Sequence, residues 1–372
     1  MSQVELQITA AVVRAKGGPF QLEKLTLEPP RSDEVLVRMV ACGMCHTDLV
    51  ARDQSYDVPH PIVLGHEGAG IVEQVGSSVR SVSPGDHVVM SYKPDGSCKV
   101  CLAGKPYFCV NTYALSFGGC RLDGSTALRD EMGRPVHSHF FSQSSFGTFA
   151  LANEMNVVKV PREAPLERLG PLGCGIQTGA GAVFNALRVS PGSSFAAFGA
   201  GAVGLSAVMA ARIAGAARII AVDVVPSRLA LAMEIGATHV IDSRERDPVA
   251  TIREITDGGA DFTLEATGRT DVLRQAIDSA GVTEVCGIVG AAPLGAEAKF
   301  NVNEVMLPGK TIRGIIMGES LPKVFIPRLV DLHLQGRFPF DKLIRFYGLD
   351  DINQAAEDSE SGKTVKPIIR LQ

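Results

Sequence analysis

The pattern of apolar and polar residues divides the chain into two parts with different periodicity. In the first part, short apolar runs alternate with Gly-Ser and Pro-Gly-Asp turns, which is typical of β-strands. The clearest runs are Val35–Ala41, Gly70–Val75 and His87–Met90. The segment Tyr92–Phe146 shows little periodicity and is rich in glycine and cysteine. We therefore expect a compact β-rich domain, with one segment that something other than an apolar core holds in place.

From about Pro191 the pattern changes to alternating strands and helices. Strands are predicted at Ser194–Gly199 and Arg218–Asp223, and helices at Ala202–Ala214 and Pro226–Ile235. Further strand candidates, separated by helical stretches, are His239–Ile241, Phe262–Glu265, Val285–Val289 and Ile312–Met317. Such alternation predicts a parallel, doubly wound sheet and an α/β fold class.

After Leu321 the chain reads as a helix followed by short segments, which we expect to return to the first domain. The predicted first domain is therefore discontinuous, comprising residues 1–176 and 320–372, and residues 177–319 form the second domain. A chain of 372 residues with 45% hydrophobic content is long enough for both cores.

Composition excludes several classes of protein. The 36 Lys and Arg residues balance 40 Asp and Glu residues, so no basic excess points to a nucleic-acid partner. The most apolar stretch, Phe195–Val225, contains two arginines, which argues against a membrane span. The segment Met1–Ala10 lacks the charged start and apolar core of a secretory signal. A cytoplasmic protein is expected.

A glycine motif opens the predicted second domain. Gly199, Gly201 and Gly204 match the G-x-G-x-x-G pattern between a predicted strand and a predicted helix, and Asp223 ends the next strand. This context predicts a dinucleotide site with the pyrophosphate at the helix N-terminus. The Asp223 carboxylate would accept from ribose hydroxyls and repel a 2′-phosphate, which favours NAD over NADP. The alternative is a strand–helix turn that needs three glycines for itself.

Clustered cysteines point to metal binding, since disulfides are rare in a chain of this kind. Cys98, Cys101 and Cys109 form a C-x₂-C-x₇-C pattern, and Asp95 lies three residues before it. Structural zinc sites are almost always four-coordinate, so Cys₃Asp is a reasonable ligand set. The alternative is a loop with three free thiols.

A second group is more widely spaced. Cys45, His66 and Cys174 together would give the two thiolates and one imidazole that a catalytic zinc uses while it leaves one position open. Such long separations do not identify a site, because a lone Cys or His is more often an ordinary core residue. The recognisable sequence around each of these residues favours a metal-ligand role over an ordinary core role.

These motifs together resemble the zinc-dependent alcohol dehydrogenases of the medium-chain dehydrogenase/reductase family, over essentially the whole chain. The residues that carry the resemblance are Gly43–Leu49, Gly65–Gly70, Cys98, Cys101, Cys109, Cys174–Thr178, Gly199–Gly204 and Asp223. The benzyl/aryl-alcohol and geraniol dehydrogenase branch is the most similar, at Leu169–Gly181, Gln143–Thr148 and Arg337–Asp341. The resemblance implies a β-rich GroES-like catalytic domain and a Rossmann domain.

The resemblance also implies individual roles. Thr47 would take the substrate proton, Asp48 would orient His66, and Glu67 would lie behind the catalytic zinc. The implied zinc ligands are Cys45, His66 and Cys174 for the catalytic ion, and Asp95, Cys98, Cys101 and Cys109 for the structural ion. The implied cofactor contacts are His46 and Lys366 at the pyrophosphate, Thr178 and Val203 near the nicotinamide, and the glycine motif with Asp223.

Two positions depart from the family pattern. Members with a full proton relay often have a histidine where this chain has Val50. The proton would then leave Thr47 through a ribose hydroxyl and water, or through another base. Asp95 stands where the family has its first structural cysteine.

The implied activity is reversible, NAD-dependent oxidation of a primary aromatic or allylic alcohol to the aldehyde. Two alternatives stay open: a formaldehyde dehydrogenase acting on glutathione or mycothiol conjugates, and a non-catalytic nucleotide sensor. A zinc-independent quinone reductase would not need these ligands. The family also implies a homodimer or homotetramer, for which the predicted strand Ile312–Met317 offers an edge.

Overall fold

The computed structural model describes residues 5–372, so the first four residues of the segment considered for a secretory signal lie outside it. The strands are β1 Leu6–Val13, β2 Phe20–Leu27, β3 Glu34–Gly43, β4 Ile62–Val63, β5 Glu67–Val75, β6 His87–Met90, β7 Leu128–Arg129, β8 Pro135–Val136, β9 Phe149–Asn153, β10 Val157–Lys159, β11 Ser194–Phe198, β12 Arg218–Asp223, β13 His239–Asp242, β14 Ala260–Glu265, β15 Ala280–Ile288, β16 Thr311–Gly314, β17 Ile344–Gly348 and β18 Lys366–Arg370.

The helices alternate with these strands mainly in the second half of the chain. They are α1 His46–Arg52, α2 Lys99–Leu102, α3 Thr112–Phe117, α4 Leu166–Leu169, α5 Gly175–Gly181, α6 Ala202–Ala214, α7 Pro226–Ile235, α8 Pro248–Thr256, α9 Thr270–Ser279, α10 Val302–Met306, α11 Pro322–Leu334 and α12 Ile352–Glu360. Short 3₁₀ turns lie at Pro106–Phe108, Phe140–Ser142, Glu154–Asn156, Gly170–Gly173, Met317–Glu319, Phe340–Leu343 and Leu349–Asp351, and a π-helical stretch lies at Ala182–Leu187.

The chain divides into two compact units. Unit 1 comprises the described residues up to Cys174 together with Leu321–Leu334 and Asp341–Gln372, and unit 2 comprises Gly175–Ser320 with Gln335–Phe340. The expected boundaries differ from these by up to two residues, and the return of 335–340 to unit 2 was not expected.

Unit 1 is built around two β-sheets. One has the strand order β4-β1-β2-β7-β8, and the other has the order β10-β6-β5-β3-β18-β17, with β9 also paired to β3. The long strand β3 pairs antiparallel with β5 along most of its length, and with the C-terminal strand β18 near its end. Strand β3 ends at Gly43, β5 begins at Glu67 and β18 begins at Lys366. The sheet therefore brings these distant parts of the chain together at one end of its strands.

Unit 2 contains a six-stranded parallel sheet with the order β13-β12-β11-β14-β15-β16. Its core contains buried side chains from the strands and from the flanking helices α8 and α9, including Phe198, Ile241, Ile252 and Ile277. The predicted α/β class, with a β-rich GroES-like domain and a doubly wound Rossmann domain, is confirmed.

The predicted strand Ile312–Met317 is wrong in its second half. Strand β16 ends at Gly314, and the chain then enters the turn Met317–Glu319. Met317, Gly318 and Glu319 all have positive φ, which an extended strand cannot contain. Within the described residues, no helix has the length and apolarity that a bilayer crossing requires.

Candidate metal centre and nucleotide-binding loop

The first turn of helix α1 follows directly from the end of β3. Cys45 precedes the helix, and the Asp48 carboxylate accepts a hydrogen bond from the Cys45 backbone N–H through Oδ2 at 2.8 Å. Gly43 is required just before it, because a Cβ there would lie 2.1 Å from Glu67 Oε2. The local fold therefore fixes the Cys45 side chain against the start of β5.

Asp48 also fixes the orientation of His66. Its Oδ1 accepts from His66 Nδ1 at 2.9 Å and from the Gly65 N–H at 3.1 Å, and the side chains of Asp48 and His66 are fully buried. Burial acts to lower the pKa of His66, but the charge and hydrogen bond of Asp48 raise it to about 10. Nε2 of His66 is buried and has no hydrogen-bond partner among the described residues. It is the nitrogen left for a metal.

Four side chains converge at this point. Cys45, His66, Glu67 and Cys174 each offer one ligand atom, and these atoms all lie within 4.8 Å of one another. A hydrogen bond from Cys174 lowers the pKa of the Cys45 thiol, and the same contact raises the pKa of Cys174. Two sulfurs and an unpaired imidazole nitrogen are the donor set of a zinc site, so these residues fit a zinc ion.

Lys366, from β18, forms a buried ion pair with Glu67. Its Nζ lies 3.0 Å from both carboxylate oxygens of Glu67 and 3.0 Å from the Met44 carbonyl oxygen. Burial acts to lower the pKa of Lys366 and to raise that of Glu67. The charge of Glu67 outweighs burial at Lys366, whose pKa lies above its ordinary value.

The structure thus places Lys366 differently from the role that the family resemblance implied. An ammonium has three N–H donors, and the three contacts use them all. None is left for a pyrophosphate in this arrangement. The pair with Glu67 could not be predicted from the sequence, because nothing in the local pattern links residues so far apart.

The remaining predicted residues of α1 lie on its first turns. Thr47 is half-buried, and its Oγ1 lies 3.7 Å from Cys45 Sγ. His46 is exposed. Val50 is half-buried and has no group that can transfer a proton.

The second predicted metal group also converges. Ligand atoms of Asp95, Cys98, Cys101 and Cys109 lie within 4.8 Å of one another. The Asp95 N–H points to Cys109 Sγ at 3.3 Å, and the Cys101 N–H points to Cys98 Sγ at 3.5 Å. Backbone N–H groups directed at sulfur favour thiolates, which fits a metal.

Asp95 has a second, structural task in the segment of residues 95–109, which we call the cysteine lobe. Its Oδ1 accepts from the N–H groups of Cys98 and Ser97, which lowers the pKa of its carboxyl group. Its Oδ2 accepts from Asn111 Nδ2 at 2.6 Å. Since each carboxylate oxygen has two acceptor positions, Oδ2 retains one for a metal.

Unit 2 carries the glycine motif at the turn from β11 to α6. Gly199 has φ of +99°, a conformation that L side chains rarely adopt. A Cβ on Gly201 would meet no atom within 4 Å, whereas a Cβ on Gly204 would lie 1.8 Å from the Gly199 carbonyl oxygen. The turn is therefore tight on its inner side and open at Gly201, where a phosphate could approach the N-terminus of a 13-residue helix.

Asp223 ends β12 beside this turn. Its Oδ2 accepts from the Ala200 N–H at 2.6 Å, and its Oδ1 accepts from the N–H groups of Val224 and Val225. The carboxylate therefore stabilises the glycine turn as well as the turn into α7.

Two further predicted cofactor residues, Thr178 and Val203, belong to helices that pack closely. A Cβ on Gly179 would lie 2.0 Å from the Val203 carbonyl oxygen. The absence of a side chain at Gly179 lets α5 lie directly against α6. The Thr178 hydroxyl lies 3.9 Å from Met317 Sδ.

Comparison with known proteins shows the family of this chain. Residues 31–162 match the model of the alcohol dehydrogenase GroES-like domain, and residues 202–333 match that of the zinc-binding dehydrogenases. The geraniol dehydrogenase of Castellaniella defragrans is 47% identical over 362 residues, which cover 97% of this chain and 96% of that protein. The chain belongs to the zinc-dependent alcohol dehydrogenases of the medium-chain dehydrogenase/reductase family.

Solved structures support the same membership. A zinc-binding alcohol dehydrogenase domain protein from Burkholderia ambifaria is 62% identical with a TM-score of 0.98, over 99% of this chain and 100% of that one. The benzyl alcohol dehydrogenase of Acinetobacter calcoaceticus is 54% identical with a TM-score of 0.96, over the same shares. The prediction that this protein is a zinc-dependent alcohol oxidoreductase is confirmed.

One further residue of this dehydrogenase was not found from its sequence. Arg228 lies in the first turn of α7, shortly after Asp223, and its Nε is buried without a hydrogen-bond partner among the described residues. Arginine in a helical first turn is common, so the pattern alone gave no signal.

Proposed function

We propose that this dehydrogenase oxidises primary aromatic and allylic alcohols to their aldehydes, reversibly, with NAD and one catalytic zinc. The observation that carries the proposal is the convergence of Cys45, His66 and Cys174 around an unpaired imidazole nitrogen. Three protein ligands leave one zinc position open, as catalytic sites do.

The substrate class rests on relatives named for an aromatic and an allylic alcohol. The Acinetobacter relative is a benzyl alcohol dehydrogenase, and the Castellaniella relative is a geraniol dehydrogenase. Both names describe primary alcohols whose carbinol carbon is next to a π-system. Phe140 and Phe141 contact the His66 ring and give this part of unit 1 an apolar, aromatic character.

In the proposed mechanism, the bound zinc and nicotinamide supply the chemistry, and the side chains of this chain position the groups and move the proton. Zinc at this centre supplies Lewis acidity that lowers the pKa of an alcohol hydroxyl, and the nicotinamide supplies a hydride acceptor. Asp48 keeps His66 Nδ1 protonated and hydrogen-bonded, so Nε2 carries the lone pair that binds metal. Thr47 Oγ1, beside Cys45, would take the substrate hydroxyl proton while its own hydroxyl proton passes to a ribose hydroxyl and water, or to another base.

Glu67 and Lys366 form a buried ion pair beside the metal-binding side chains. The ammonium balances the carboxylate charge, so the negative charge next to the two thiolates is partly neutralised. Without Lys366 the buried carboxylate would be left unpaired, which is costly. The ion pair therefore helps to keep Cys45, His66 and Cys174 in position.

NAD as the cofactor is supported by the residues around Asp223. The carboxylate ends β12 beside the glycine turn, and Val224 and Val225 follow it without a cationic side chain. A negative charge at the ribose position disfavours the 2′-phosphate of NADP.

The cysteine lobe is proposed to hold a second, structural zinc through Asp95, Cys98, Cys101 and Cys109. Four donors at mutual ligand distance support a closed, four-coordinate site. None of the eight cysteines, all of which lie in the described part of the chain, forms a disulfide, which also supports a reducing, cytoplasmic location.

A homodimer is the proposed assembly. Strand β16 ends the sheet of unit 2, and no described strand pairs with its outer edge. Exposed apolar side chains lie close to it in sequence, with Leu307 78% exposed. A second copy that joins at this edge would pair the strand and cover these side chains, which a lone molecule leaves in water.

The test is metal analysis combined with a turnover screen. NADH formation is followed with benzyl alcohol, cinnamyl alcohol, geraniol, ethanol and S-hydroxymethylglutathione. The proposal expects zinc in the purified protein and the highest kcat/KM for the first three. Cys174→Ser should abolish turnover while NAD still binds. Preference for the glutathione adduct would favour a formaldehyde dehydrogenase, and NAD binding without any turnover would indicate a sensor.

A further inference from the structure

The segment of residues 139–145 has an unusual backbone and lies against the metal centre. Phe141 stacks on the His66 ring at 4.4 Å between ring centres, and Phe140 contacts it edge-on at 5.4 Å. Four residues other than glycine have positive φ within this segment: His139, Phe141, Ser142 and Ser144. Such a backbone costs free energy and persists only where its surroundings fix it.

Gln143, at the centre of this segment, uses its whole side-chain amide. Nε2 donates to the carbonyl oxygens of His66 at 3.0 Å and Ser91 at 3.1 Å. Oε1 accepts from the Gly68 N–H at 3.2 Å and from the Ser145 hydroxyl at 2.7 Å. Both donors and both acceptor positions are therefore occupied in a buried site. One side chain holds the peptide groups on both sides of Glu67.

Ser91 extends this network to the third metal ligand. Its hydroxyl donates to the Gly173 carbonyl oxygen at 2.7 Å, and Gly173 directly precedes Cys174. A Cβ on Gly173 would lie 2.1 Å from the Met90 carbonyl oxygen, so the two backbones touch here. The backbones that carry His66 and Cys174 are thus joined through two buried polar side chains.

We propose that Gln143 is a positioning residue of the metal centre. It fixes the backbone that carries His66 and Glu67 and, through Ser91, the peptide before Cys174, at the spacing that the metal ligands need. It acts through these residues and not by contact with the metal. The inference rests on the proposed function, in which Cys45, His66 and Cys174 hold zinc.

The test compares Gln143→Met with the wild-type holoenzyme. Methionine has nearly the same length but leaves the His66 carbonyl and the Gly68 N–H without the partner they have in Gln143, and leaves the Ser91 carbonyl with Asn156 Nδ2 alone. Loss of outer contacts of this kind typically weakens metal binding about 10- to 100-fold. We expect zinc transfer to a colorimetric chelator to be at least about tenfold faster. We also expect the visible ligand-field bands of the cobalt-substituted variant to shift.

Tyr347→Phe is the matched control. It removes the buried hydrogen bonds of the Tyr347 hydroxyl with Asp358 and with the Thr364 hydroxyl, also in unit 1, but touches no peptide of a metal ligand. This variant should release zinc at the wild-type rate and keep the wild-type cobalt spectrum. Equal acceleration in both variants would mean a general loss of stability and would overturn the proposal.

Ser91→Ala is the second variant and carries the test if Gln143→Met does not fold. It removes only the hydroxyl that bonds to Gly173, and we expect the same direction of change. Wild-type release rates in every soluble variant would overturn the positioning role and leave the proposed function intact. A wild-type protein that binds no zinc would contradict the proposed function itself.

Discussion

Asp223 shows how one carboxylate can serve both the fold and cofactor choice. It accepts one backbone hydrogen bond from the glycine turn and two from the turn into α7, so removal of the side chain would also loosen both turns. A variant that tests cofactor preference should therefore keep an acceptor at this position.

We expect Asp223→Ser combined with Val224→Arg to shift preference from NAD to NADP. Serine retains one acceptor and removes the negative charge, and the arginine supplies a partner for a 2′-phosphate. A hydrogen bond to a charged group contributes about 1.5–3 kcal/mol, so kcat/KM for NAD should fall roughly ten- to a hundred-fold. Comparison of kcat/KM for both cofactors measures this. Val224→Arg alone is the control, and unchanged preference in the double variant would remove Asp223 from its role.

Residues within motifs were predictable from the sequence, whereas their distant partners were not. Cys45 and His66 could be singled out because the residues next to them form recognisable motifs. Lys366 was predicted as a cofactor contact, but its pairing with Glu67 depends on the antiparallel contact of β18 with β3. Gln143 lay within a recognised motif, yet three of its four partners come from two distant segments, at 66–68 and at Ser91. Tertiary contacts of this kind leave no periodic signal.

At the scale of elements, the buried pair of Glu34 and Arg121 joins the start of β3 to the loop before β7. Arg121 donates through Nε to Glu34 Oε1 at 2.6 Å and through a second nitrogen to Oε2 at 3.0 Å. Burial acts to raise the pKa of Glu34. His139, 3.5 Å away, and Arg121 outweigh it and bring the pKa well below its ordinary 4.5.

Glu34→Gln should therefore destabilise the protein in a pH-dependent way. Breaking a buried pair costs about 3–5 kcal/mol near neutral pH. Because the folded-state pKa is lowered, this contribution is full above about pH 4.5 and is lost as the pH falls below it. Denaturant unfolding at pH 7 and at pH 3 should show the gap between wild type and variant shrinking. Glu73→Gln, in an exposed pair with Arg38, should change stability by less than about 1 kcal/mol at either pH.

The cysteine lobe is an element whose order is expected to depend on its metal. Asp95→Ala should lower zinc content from two ions per chain to one and reduce the thermal midpoint, since structural zinc binding is coupled to folding. Asp95→Asn separates the two tasks of this residue, because the amide keeps an acceptor for Ser97 and Cys98 but is a poorer zinc ligand. Two zinc ions in both variants would show that Asp95 is not a ligand.

Strongly patterned elements matched their predictions, and the others needed the structure. Helices α6 and α7 and strand β12 have the predicted bounds, because apolar periodicity and Pro226 mark them clearly. Strands β4, β7 and β8 have two residues each, which is too short for any periodicity. Strand β15 begins five residues earlier than predicted, since its first half contains exposed residues such as Val282 and Thr283.

At the scale of the whole molecule, association through β16 predicts a measurable change in mass. We expect the wild type to be a dimer by light scattering, and Leu307→Glu to shift it towards the monomer, because a charge would be buried at the interface. Leu122→Glu, at an exposed apolar residue of unit 1, should leave the mass unchanged. A monomeric wild type would exclude this assembly.

The ion pair of Lys366 and Glu67 also bears on when the enzyme becomes complete in the cell. During translation, Cys45, His66 and Cys174 leave the ribosome well before β18 has been synthesised. Until then no ammonium balances Glu67, and burial of its lone carboxylate opposes closure of the centre. We therefore expect closure of the centre to require β18, the strand that carries Lys366.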